Sequence, residues 1–513
     1  MKLSKFFIFG LSFIFLFASC KQDTGDSIKS TSGTNATTSD TSTDDEEDDE
    51  NDDGTWLTAT SLYETYKDYL DYVGFAVEYG NFGTNWGTKC ELYYSDVQKG
   101  LARHANTISL GNEFKPQFIF SWWGNGPAAT ESFTGSNGVT TKVPTKASLG
   151  GLSRAKAILQ ICQKNNLHMR GHVLLWHSQT DDAFFYEDYD TSGTTVDADE
   201  LDARLEWYIK TIIQYCDDYT LDDGSPVIWA WDVANEATSD SSTSAAATSS
   251  NDSAWLRTSG SKWYDIYSSS SKTNYFTGEA YKSYDFVLNA FRFANKYAKS
   301  STQLVYNDYG GLSGTSTSNK HQSQLRLVKL IQEASSASAW PTRIDAMGLQ
   351  SHYSVLNSTS AFESEIQDYI NLGIDVQITE LDIATCANYD DSTDTVKASG
   401  KQFSSLADAY ASFFKMFLDN RKTSSSHGIN CVTIWGLNDE STWLNTTSQI
   451  GWIGDCIQYP LLFKLINNVS TTTKTITTSD GSTTLGTLDQ YDEGDSFAPK
   501  PAFTAVINVA KGF

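Results

Sequence analysis

Residues 226–237 read PVIWAWDVANEA. An apolar and aromatic run leads straight into an amide and a carboxylate, Asn235 and Glu236. A short run with so little polar alternation predicts a strand covered on both faces, as in a parallel sheet. A carboxylate pressed among apolar neighbours at the end of such a strand has its charged form disfavoured and its pKa raised. IDVQITELD (374–382) repeats the arrangement and carries Glu380 at its end, with Asp382 two residues on.

Six further runs have the same character: VGFAVEY (73–79), ANTISLG (105–111), HMRGHVLLW (168–176), QLVYNDY (303–309), IDAMGLQSHY (344–353) and INCVTIWGLN (429–438). Between the runs lie stretches with apolar residues near a 3.6-residue spacing, which predicts helices with one buried stripe. They are 154–167, 201–219, 281–298, 324–335 and 403–421. Eight strands alternating with helices predict an α/β fold of the closed (β/α)8 TIM-barrel type. An open doubly wound sheet is the alternative, weakened because no glycine-rich nucleotide loop follows the first run.

The 513-residue chain carries a net charge of −26, which disfavours nucleic acid and anionic lipid headgroups as partners and suits a neutral, polar one. Its 14 Trp, 26 Tyr and 27 Phe supply flat apolar faces with polar edges, the complement of a sugar ring, although most belong to the core. Residues 1–19 join a basic head to an apolar run too short for a comfortable membrane span, and read as an export signal. Ala18-Ser19-Cys20 resembles the end of a bacterial lipoprotein signal. That resemblance implies lipidation of Cys20 and a chain anchored at the cell envelope or cell surface by this N-terminal lipid alone. Residues 20–55, rich in Ser, Thr and Asp, cannot bury enough apolar surface to offset their ordering entropy, and are expected to form a disordered acidic tether. The folded catalytic domain is expected over 56–513.

The cysteines form no metal-type spacing, and plain core packing is expected of Cys162, Cys216 and Cys431. Three polar inserts, at 124–142, 239–253 and 469–487, read as surface loops or hairpins decorating the barrel.

Two carboxylates at strand ends of one barrel match the chemistry of glycosidic-bond cleavage. WDVANEA, ITELD and GHVLLWHSQ together resemble glycoside hydrolase family 10, the xylanase family, over most of residues 73–513. The resemblance implies a retaining endo-1,4-β-xylanase acting on xylan or a related β-1,4-glycan without metal or organic cofactor. It casts Glu236 as acid/base, Glu380 as nucleophile and Asn235 as a ligand of the sugar 2-hydroxyl. It implies sugar-binding roles for His172, Trp176 and Gln179, and for Asn112 and Lys115 in GNEFKP. The same holds for Tyr309, for Gln350 and His352 beside the nucleophile, and for Trp435 and Trp443. A neutral His352 hydrogen-bonded to Glu380 is expected to favour the ionised carboxylate. Gly111 departs from the family, which usually has Glu there, and is expected to remove one acceptor from an outer subsite. Asp232 and Asp382 are expected to support neighbours through hydrogen bonds. A β-1,4-glucanase, and a glycan-binding protein on an inactive barrel, are the alternative functions.

Overall fold

The computed structural model describes residues 54–79, 91–240, 250–310, 319–337, 339–385, 388–398, 400–451, 454–466, 473–491 and 494–513. The export signal, Cys20, the acidic tether as far as Asp53 and most of the 239–253 insert lie outside these residues.

All eight apolar runs are strands: β1 (Tyr72–Val77), β2 (Thr107–Leu110), β3 (His168–Gly171), β4 (Ile228–Asn235), β5 (Gln303–Asp308), β6 (Ala346–Leu349), β7 (Asp375–Ala384) and β8 (Ile429–Ile434). Each pairs in parallel with the next, and β8 pairs with β1 at Tyr72–Cys431 through Phe75–Ile434, so the sheet closes. Among the described residues, eight helices of ten residues or more lie outside it: α1 (Ser95–His104), α2 (Leu152–Lys164), α3 (Ala198–Cys216), α4 (Asp285–Tyr297), α5 (Asn319–Ala334), α6 (Thr359–Asn371), α7 (Leu406–Asp419) and α8 (Pro501–Lys511). This is the (β/α)8 barrel, and the open sheet is excluded. Helices α1, α6 and α8 are not among the five predicted stretches; α8 is short and opens on Pro501 just after Pro499, while α1 and α6 are poor in apolar residues. Each of these two offers few apolar side chains to the core, mainly Val97 and Leu101 in α1 and Phe362, Ile366 and Tyr369 in α6.

Two runs break inside their predicted span and resume as a second short strand. After β3 the chain leaves the wall and returns as Leu175–Trp176 beside Ala234–Asn235 of β4. After β6 it turns at Ser351, whose φ is +60°, and His352–Ser354 then runs beside Asp382–Ala384 of β7. The barrel interior is partly polar. Arg170 of β3 clamps Asp232 of β4 through two nitrogens at 2.5 and 3.2 Å, and its Nε donates to Gln377 of β7 at 3.0 Å. With both ions fully buried, each depends on the other for compensation.

Cys162, Cys216 and Cys431 are buried in α2, α3 and β8 as core residues. The first insert forms a hairpin, Thr130–Thr134 with Thr140–Pro144, tied to α3 where Ser136 N–H donates to Glu206 at 2.6 Å. The described part of the third forms a second hairpin, Thr473–Thr477 with Thr484–Asp489. It is more than decoration, because Lys474 lines a cavity together with Trp435 and Trp443.

Candidate active site

Glu236 sits one residue past β4, where the backbone turns to φ +53° and lifts the side chain out of the strand line. This unfavoured conformation is held from both sides. Its N–H donates to the Asn307 carbonyl at 2.9 Å, and its own carbonyl accepts from Arg257 Nε at 2.8 Å. Gln350 Nε2 donates to Glu236 Oε1 at 2.9 Å, and Asn235 Nδ2 lies 3.4 Å from the same oxygen. Burial pushes the Glu236 pKa up. The Gln350 hydrogen bond opposes this, while the nearby Asp308 carboxylate adds to it, and the net shift is upward.

Glu380 is buried within β7, next to a register shift between Ile378 and Leu381 that marks a bulge of the kind that re-aims side chains. Asn307 Nδ2 donates to its Oε1 at 2.9 Å, and His352 Nε2 lies 3.3 Å from its Oε2. Burial alone would raise the Glu380 pKa. The His352 hydrogen bond, with help from the fields of His172 and His352 and from Asn307, outweighs it and holds the carboxyl below its ordinary range. The two glutamates, both desolvated, are thus pushed in opposite directions by their different partners.

The expectation of a neutral His352 is corrected. Burial works against the imidazolium, but Asp382 accepts from Nδ1 at 3.0 Å while Glu380 faces Nε2. The two carboxylates raise the His352 pKa to about 10. A positive ring between two acids stabilises the Glu380 carboxylate more strongly than a neutral one. Asp382 is fixed in turn by Trp443 Nε1 at 2.7 Å, which ties the 439–449 loop to the site.

The two carboxyls are linked through amides. Asn307 Nδ2 reaches both Glu380 Oε1 and Asn235 Oδ1, the latter at 3.0 Å, and Asn235 Oδ1 lies 3.3 Å from Gln350 Nε2. Thr379 Oγ1 donates to Asn307 Oδ1 at 2.7 Å, which sets the amide's orientation. Gly348 makes room for it, since a Cβ there would stand 2.4 Å from Asn307 Oδ1. Asn307 carries the same sequence signal as Asn235, a polar amide near the end of an apolar run, but its role comes only from its contacts with Glu380 and Asn235.

The remaining candidates surround this pair. His172 Nδ1 bonds Asp232 at 2.9 Å, and its ring meets Trp435 edge-on at 5.6 Å. Lys115 Nζ donates to Asn112 Oδ1 at 3.2 Å and Gln179 Oε1 at 2.9 Å, and stands 5.0 Å from the Trp176 ring centre. Burial lowers the Lys115 pKa against the fields of Glu380 and Glu78. The Tyr309 hydroxyl bonds Asp240 and accepts from Arg257 at 2.9 Å, so Arg257 joins Tyr309 to the Glu236 backbone. Arg257 lies in a loop and gave no sequence signal. Beside Gly111 stands another carboxyl. A Cβ on Gly111 would lie 3.4 Å from Oε1 of Glu78, a residue at the end of β1 with no assigned role.

A closed barrel that brings together two carboxyls whose pKa values are pushed apart, ringed by indoles and amides, defines a glycoside hydrolase. The chain belongs to glycosyl hydrolase family 10, whose sequence profile matches residues 61–477. It is similar to endo-1,4-β-xylanase Y of Acetivibrio thermocellus, 31% identical over 377 residues, covering 73% of this chain and 29% of that protein. Endo-1,4-β-xylanase A of Butyrivibrio fibrisolvens is 26% identical over 365 residues, covering 70% of this chain and 74% of the relative. This chain thus spans under a third of the first relative's length. Among solved structures, the xylanase modules of Clostridium thermocellum complexed with xylohexaose align with a TM-score of 0.57 and 26% identity, over 88% of this chain and 68% of that one.

Proposed function

We propose that this protein is an endo-1,4-β-xylanase that cleaves the xylan backbone with retention, using Glu236 as acid/base and Glu380 as nucleophile. The observation that carries this reading is the opposed pKa shift of two buried carboxyls joined through Asn307, Asn235 and Gln350. Glu236, whose raised pKa favours the acid form, gives its proton to the glycosidic oxygen as the bond to the anomeric carbon breaks. Glu380, kept ionised, forms the new bond to that carbon and yields a glycosyl-enzyme ester. Water then attacks the same carbon. Glu236, now a carboxylate, takes the water proton, and Glu380 departs as the carboxylate. Asn235, held by Asn307 and Gln350, is placed to bond the sugar 2-hydroxyl while charge develops on the ring. The relatives' endo-1,4-β-xylanase activity and the neutrality of xylan against a chain of charge −26 support the substrate.

A glucanase reading is favoured by one feature, the open cavity of about 170 Å³ beside Trp443 and Gly111, where a C6 hydroxymethyl group would need room. Initial products from xylo- and cello-oligosaccharides of equal length separate the two. We expect internal cleavage of the xylose series at least about tenfold faster, the effect of one misplaced methylene-sized group in a fitted pocket. Faster cleavage of the cellulose series would overturn the xylanase reading.

A further inference from the structure

We infer that Glu78 binds a sugar hydroxyl in an outward extension of the cleft walled by Trp435 and Trp443, and so sets how firmly longer substrates are held. This rests on the reading that the cleft cleaves a β-1,4-glycan. Glu78 directly follows β1, at the barrel end that carries Glu236 and Glu380. Its Oε1 accepts from Asn112 Nδ2 at 2.8 Å. Through Asn112 it is the outer member of the polar row that continues to Lys115 and Gln179. The backbone that carries it is pinned: Glu78 N–H lies 3.3 Å from Glu91 Oε2, Leu92 N–H donates to the Glu78 carbonyl at 3.0 Å, and Tyr79 N–H donates to Glu113 Oε1 at 2.6 Å.

The space is shaped for a ligand. Glu78, Gly111, Trp435, Trp443, Lys474 and Gln490 line one cavity of about 170 Å³. The Glu78 carboxyl lies against Gly111, so a longer side chain at 111 would compete for the same volume. Two indoles with a fixed carboxyl beside them present apolar faces and a polar edge, the combination a pyranose ring fills. The charged groups acting on Glu78 are the acids Glu113 and Glu91 and the base Lys115, and Glu440 and Lys474 line the same cavity. Burial and then the two acids push the Glu78 pKa up to about 8, against Lys115 and Asn112. Near neutral pH the carboxyl therefore keeps a proton. Its O–H can donate to a sugar hydroxyl while the other oxygen stays with Asn112, and this donor is lost as pH rises through about 8.

The test compares nitrophenyl β-xyloside, whose single sugar fills only the cleavage subsite, with nitrophenyl β-xylotrioside, which shares its leaving group. Glu78→Ala is expected to lower kcat/KM on the trioside by about 10–100-fold, the effect of leaving a fitted hydroxyl unpaired, and on the monoside by less than about twofold. Glu78→Gln keeps a donor and an acceptor but cannot titrate. It is expected to hold trioside KM flat across the alkaline range, where the wild-type KM climbs several-fold. Unchanged trioside kinetics in Glu78→Ala, or equal losses on both substrates, would overturn the inference. So would an alkaline rise in KM that survives in Glu78→Gln, which decides the matter if the alanine chain misfolds. Failure of the wild type to cleave either xyloside would instead count against the xylanase reading. The same pair of glucosides would then test Glu78 independently.

Discussion

Replacing Glu380 with Gln is expected to lower kcat on xylan by on the order of 10⁴-fold or more, with thermal stability nearly unchanged. The amide has the shape of the carboxyl and can still accept from Asn307, so packing in β7 is preserved. What it loses is the charge that His352 stabilises and the lone pair that attacks the anomeric carbon. The positive ring keeps Asp382 as a partner, which limits any cost to folding. Steady-state turnover of xylan beside a thermal melt measures both quantities. A loss below about tenfold, or a loss matched by unfolding, would remove Glu380 from the nucleophile's role.

The second large effect is expected at Glu236. Glu236→Ala is expected to slow natural xylan by about 10²–10⁴-fold, the range for losing a positioned general acid. Formation of the glycosyl-enzyme from an aryl xyloside with a good leaving group should be spared, because a stable phenolate needs little protonation. The pH profile gives a second readout. Glu236 acts as its acid form, and its raised pKa carries that form upward, so activity falls as pH rises through the folded-state value. Glu380 acts as its base form, and its lowered pKa keeps that form present well into acid, so activity falls only as pH drops through its own value. In Glu236→Ala the alkaline limb should vanish on the aryl substrate while the acid limb stays. Equal losses on both substrates, with the alkaline limb intact, would show that another group supplies the proton.

The strands were legible because burial on both faces leaves a nearly unbroken apolar signature, as in VIWAWDVA and DVQITELD. Glu236 and Glu380 stood out for the same reason, since a carboxylate ending such a run has no packing rationale. The runs at 168–176 and 344–353 were read as unbroken strands, because composition does not register where a strand leaves the wall. Both departures, at His172 and at Ser351, bring functional side chains into the cleft. Asn307, Arg257 and Glu78 were not singled out, since their roles come from contacts between distant segments. Asn307 gains meaning only from Glu380 and Asn235, Arg257 from the bent backbone of Glu236, and Glu78 from the missing side chain at Gly111. The protonation of His352 escaped for a related reason. Asp382 and Glu380 lie on alternate positions of one strand, and only the return of 352–354 alongside β7 sets the ring between them.

The most direct measurement is proton NMR of the anomeric centre in the first minutes of xylo-oligosaccharide hydrolysis. With Glu380 bonded to the sugar and Glu236 then activating water on the face the leaving chain vacated, the new reducing end should emerge as the β anomer and drift to the α/β mixture afterwards. First product in the α configuration would mean that water, not Glu380, makes the first attack, and the division of labour between the two glutamates would be wrong.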